Sequence, residues 1–68
     1  MKQKTKDKIN HMARLIHAEK VGVKAPQIPQ IDYSLAPKGG IYDGYFNAAL
    51  VSYVEYFPKH RDLLRFKT

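Results

Sequence analysis

Two stretches of this 68-residue chain carry helical periodicity, and the stretch between them does not. In the first, Thr5, Ile9, Met12 and Ile16 recur at steps of four, three and four, with Ala13 and Leu15 flanking. That spacing lines one face and predicts an amphipathic helix over residues 5–20, with Gly22 as its stop. Lys4, Lys8, His11 and Arg14 project from the other faces. The second is Ile41–Phe57, IYDGYFNAALVSYVEYF, which holds most of the aromatic residues. Tyr42, Phe46, Ala49, Tyr53 and Tyr56 fall on one stripe there, widened by Leu50, Val54 and Phe57. Asp43 is the expected N-cap of this helix, and Pro58 ends it because proline lacks the N–H that the next turn requires. Any core this chain has is built on that segment.

The connector, residues 23–40, reads VKAPQIPQIDYSLAPKGG. Pro26, Pro29 and Pro37 bias it away from helix. Ile31, Tyr33 and Leu35 alternate with Asp32 and Ser34, the period-two signature of a strand, and Pro37-Lys38-Gly39-Gly40 reads as a turn. After Pro58 a short helix would turn Leu63, Leu64 and Phe66 inward and Lys59, Arg61, Arg65 and Lys67 outward. The expected fold is mainly α: a small single domain over residues 1–68, with residues 1–4 flexible. It has two amphipathic helices, a long proline-rich connector and a short C-terminal helix. The alternative is α+β, with Gln30–Leu35 as a strand paired to residues 40–46.

Length and composition narrow the picture. A chain this short buries roughly 60% of the surface its unfolded form exposes, so helix packing or association must supply its stability. There is no cysteine, which excludes disulfides and thiolate metal sites. No apolar run approaches the roughly 18 residues of a membrane span, so a soluble cytoplasmic protein with no membrane partner is expected.

The net charge is +6, unevenly placed. Residues 1–24 carry seven basic residues against two acidic ones, leaving +5. Residues 25–57 carry one against three, leaving −2, and residues 58–68 four against one, leaving +3. A polyanion would be met by the termini.

Catalytic and metal chemistry find little support. His11 and His17 lie about 240° apart around a helix axis and cannot share a metal. His17-Ala18-Glu19 has the H-x-E spelling of zinc deaminases without their cysteine pair. These two and His60 read as solvated histidines on a basic surface. Asp43 and Glu55 are too far apart for a carboxylate dyad. Ser34 and Ser52 lack a nucleophile elbow, and Gly39-Gly40 lacks the spacing of a phosphate loop.

The expectation is therefore a non-enzymatic accessory protein with no cofactor and no metal site. It would bind nucleic acid or a nucleoprotein through Lys2, Lys4, Lys6, Lys8 and Arg14 at one end and Lys59, Arg61, Arg65 and Lys67 at the other. The alternative is a protein-binding module or inhibitor. It would dock a partner, or a second copy, through Tyr42, Tyr45, Tyr53 and Tyr56, since so small a core cannot bury four tyrosines with every hydroxyl satisfied.

The order Ile31-Asp32-Tyr33-Ser34-Leu35, then Gly39-Gly40, then Asn47 and Leu50, resembles that of SprT-like zinc metallopeptidase domains. In that family a helix, a strand, a glycine-containing turn and an asparagine–leucine segment precede the catalytic HExxH helix. HExxH is absent here, so the resemblance implies a non-catalytic remnant with a strand at 31–35 and carries over no site residue.

Overall fold

A computed structural model describes residues 2–67, with side chains described for residues 2–64. The chain runs through helix α1 (Gln3–Val21), two short 3-10 turns (Ala25–Gln27 and Tyr33–Leu35), helix α2 (Ile41–Tyr56) and a C-terminal 3-10 segment (Pro58–Lys67) kinked at His60. The fold is mainly α. No described helix is long and apolar enough to cross a membrane.

Local chemistry sets the boundaries. Helix α1 begins at Gln3, two residues earlier than its apolar stripe predicts, and ends at Gly22, whose φ of 77° is the left-handed conformation that glycine adopts without strain. There the Val23 N–H donates to the Ala18 carbonyl and the Gly22 N–H to Glu19, closing the last turn as a Schellman motif. Before α2, the Gly40 N–H donates to the Pro37 carbonyl across a tight turn, with Gly39 at φ 83° in the position that demands positive φ. Gly40 is the N-cap of α2, so Asp43 is not. Asp43 sits in the first turn instead, and its Oδ2 accepts the Gly39 N–H at 3.1 Å. Helix α2 stops before Pro58, as expected.

The strand of the α+β alternative, Gln30–Leu35, does not form. Asp32 accepts both the N–H and the hydroxyl of Ser34, and the Asn10 amide oxygen accepts the Tyr33 N–H at 3.1 Å. Two backbone donors that a ladder would need are thus taken by side chains, one by Asp32 nearby and one by Asn10 of α1, and the chain turns. The alternation also does not describe a face, since Tyr33 is fully buried while Leu35 is 78% exposed.

The core joins Ile9 and Ala13 of α1 to Phe46, Ala49, Leu50 and Tyr53 of α2, with Tyr33 and Leu63 closing its sides. Ala13 and Ala49 are both wholly inaccessible, and their small side chains permit close packing of the two helices. Ala18, Val54 and the connector's Ile28 extend the buried surface. On α2 the inward face is centred between Phe46 and Leu50. Tyr42 and Tyr56, expected on the stripe, are left at its edges, 42% and 76% exposed.

The two helices run antiparallel. His17, near the end of α1, stacks on Tyr45 near the start of α2, whereas Lys8 and Met12 meet Tyr53 and Phe57 at its end. A 19-residue helix is about 28 Å long. Helix α1 therefore spans most of the 32 Å long dimension of the molecule.

Candidate nucleic-acid interface

Antiparallel packing decides where the charges go. The start of α1 and the end of α2 share one pole, and the C-terminal segment departs from that same pole at Pro58. Lys2, Lys4 and Lys8 are exposed on the first, and Lys59 and Arg61 on the last. Basic residues that the sequence sets at opposite ends thus gather at one end of the molecule. The Arg65 and Lys67 side chains lie outside the described residues. Exposed Asp7, Glu55 and Asp62 lie on the same segments, and at the opposite pole Lys20, Lys24 and Lys38 share the surface with Glu19, with Asp43 buried there.

Two expected phosphate contacts have other work. Arg14, read as projecting to solvent, is part-buried, and its Nε and Nη2 donate to the Ile28 carbonyl at 3.1 and 2.6 Å. Lys6 is half-buried with its Nζ 3.5 Å from the Asp32 carboxylate. With Asn10 and His17 these form a stripe at residues 6, 10, 14 and 17, a spacing that lines one helix face. That stripe clasps the connector. The Asn10 amide donates to Asp32 Oδ1 at 3.0 Å while its oxygen holds the Tyr33 backbone. Bonds from Ser34, then Asn10 and Lys6, outweigh desolvation and hold the Asp32 carboxyl below its ordinary range.

His17 is the clearest departure from expectation. It is buried, with 8% of its surface exposed, and Nδ1 lies 2.9 Å from the hydroxyl of fully buried Tyr33. Its ring stacks on Tyr45 at 4.7 Å and lies 5.1 Å from Tyr42. Tyr33 meets His17 edge-on at 5.9 Å. Burial, followed by the neighbouring Tyr42, raises the Tyr33 phenol above its usual range. His17 reads as solvated because its partners lie 16 or more residues away; only an apolar i, i+4 neighbour, Ala13, hinted at an inward position. His11 is exposed and His60 partly so. Among the described residues no group of three or more His, Cys, Asp or Glu could hold a metal ion.

The four candidate tyrosines do not form one surface. Tyr42 and Tyr45 belong to the His17 cluster, Tyr53 is buried at the other pole, and Tyr56 stands out alone. At the basic pole Tyr53 packs on Phe57 at 4.9 Å and on His60 at 5.3 Å. Tyr53 and Phe57, with Lys8, His11 and Met12 across from them and Asp7 on the rim, line a 390 Å³ pocket whose wall is almost wholly apolar. A second, polar cleft of 610 Å³ lies on the other side of Asp7 and His11, between α1 and Gln30–Asp32. The sequence marks Phe57 as part of the core stripe, yet it is 43% exposed.

Compared with protein-family models, curated proteins and solved structures, the chain matches none.

Proposed function

We propose that the protein is a non-enzymatic, cytoplasmic accessory protein that binds nucleic acid or a nucleoprotein through the basic pole. The supporting observation is the antiparallel pairing of α1 and α2, which brings Lys2, Lys4, Lys8, Lys59 and Arg61 to the end of the molecule that holds the aromatic pocket. Lysine and arginine grouped this way displace condensed counterions from a phosphate backbone, which makes the affinity strongly salt-dependent. Lys6 and Arg14 leave the binding set, because each is engaged with the connector.

The test is a fluorescence-anisotropy titration of a labelled single strand between 50 and 200 mM salt. With four or five phosphates neutralised, the logarithm of affinity should fall against the logarithm of salt with a slope of about −3. A slope near zero, or no binding at 50 mM salt, overturns the proposal.

A second reading, docking of a partner protein, is favoured by the exposure of Tyr56 and Ile41. It predicts a partner interaction that Tyr56→Ala weakens and that salt leaves unchanged.

A further inference from the structure

The pocket at the basic pole has a shape and lining that charge alone does not require. Phosphate binding needs only accessible cations, yet here Lys8 and His11 border an apolar recess formed by Met12, Tyr53 and Phe57. Phe57 keeps nearly half its surface in contact with solvent, and His60 packs behind it with the ring planes at 80°. Its position is fixed by the fold: the Phe57 N–H donates to the Tyr53 carbonyl and its own carbonyl accepts the His60 N–H, both at 2.9 Å. The ring is therefore an anchored aromatic face and not a fraying terminus.

One cation, Lys8, borders that face. Lys4 precedes Lys8 by one turn of α1, and Lys59 lies two residues beyond Phe57 in the chain. At 390 Å³ the recess is shallow and largely open to solvent. Asp7 is the one carboxylate on the rim. The Gln3 amide holds it at 2.7 Å, and it lies on the ridge shared with the polar cleft. The occupant that matches an aromatic wall beside a lysine, at a pole where other lysines are exposed, is a planar base carried on an anionic chain.

We propose that this pocket receives an unpaired base of a single-stranded nucleic acid, stacked on Phe57, while Lys8 and Lys59 hold the phosphates on either side. The inference rests on the nucleic-acid reading of the pole and adds a strand preference to it. A duplex keeps its bases stacked inside and offers the pocket nothing, whereas every base of a single strand has a π-face to stack.

The experiment uses the full chain and three labelled probes of equal length: an oligothymidylate, the corresponding abasic deoxyribose-phosphate chain, and a duplex. All three are titrated at low salt by anisotropy. Base stacking on an aromatic side chain predicts oligothymidylate binding tighter than the abasic chain by about five-fold or more. Phe57→Ala, whose folding is checked by circular dichroism, should remove that difference and leave abasic binding unchanged. Equal, salt-sensitive affinity for all three probes would overturn base capture while keeping the basic pole. No binding to any probe would overturn both. A concentration-dependent dimer that Phe57→Ala dissolves would assign the pocket to a second copy of the chain and overturn base capture as well.

Discussion

Replacing Tyr33 by Phe isolates the buried hydrogen bond on which the connector's docking turns. The change keeps the ring, which is fully buried and meets His17 and Tyr42 edge-on, and so creates almost no cavity. It removes only the hydroxyl 2.9 Å from His17 Nδ1. Losing a neutral hydrogen bond costs about 0.5–1.5 kcal/mol, and a buried group left without its partner raises that toward about 1–3 kcal/mol. His17 is buried enough for the higher range to apply. In a domain of this size such a loss lowers Tm by about 5–15 °C. Urea melts followed by circular dichroism measure it directly.

High pH gives a second reading of the same bond. The Tyr33 phenol titrates above its usual value in the fold, so beyond about pH 10 the unfolded chain releases a proton that the folded chain keeps. The stability contributed by Tyr33 is full below that pH and is lost as pH climbs through the folded value. The gap between wild type and Tyr33→Phe should therefore narrow above about pH 10. A variant within about 0.3 kcal/mol of wild type at pH 7 would refute the reasoning.

Other changes test other joints. Arg14→Ala should destabilise the fold by about 1–3 kcal/mol, because the Ile28 carbonyl loses a charged donor, yet leave oligonucleotide affinity of the folded protein unchanged. Reduced affinity without reduced stability would return Arg14 to the binding set. Asp32, whose carboxyl is held low by Ser34, then Asn10 and Lys6, contributes stability above about pH 4 that disappears as pH falls through its folded value. Asp32→Asn should flatten the dependence of the urea midpoint on pH between about 6 and 3, and an unchanged dependence would contradict that role. Gly22→Ala meets no steric neighbour, so its cost is the backbone penalty at φ 77°, about 1 kcal/mol, visible as a lower Tm.

The sequence made legible what local rules govern. The stripe from Ile9 to Ile16, the stop at Gly22, the Pro37–Gly40 turn and the break at Pro58 each depend on residues a turn or less apart. What it hid were pairings across the fold. Asn10, Arg14 and His17 look like a solvated helix face because their partners, Tyr33 and Ile28, lie 14–23 residues away. The alternation of Ile31, Tyr33 and Leu35 kept an α+β alternative open beside the mainly α fold, and it was the Asp32–Ser34 turn that the period-two pattern concealed. The aromatic count of α2 was correct, while the rotation of the helix that exposes Tyr56 is set by its packing against α1. The candidate site was half legible: most of the cations could be named, but their gathering at one pole depends on the antiparallel pairing.

The most direct measurement separates the position of charge from its amount. Lys4, Lys8 and Lys59 lie at the proposed binding pole, and Lys20, Lys24 and Lys38 at the other. Changing either trio to Gln takes the net charge from +6 to +3, three positive charges lost in each case. With oligothymidylate affinities compared at one fixed salt concentration, the first triple variant should lose most of its binding and the second should stay close to wild type. Equal losses in the two would mean that only total charge matters, and the account of a binding pole would be wrong.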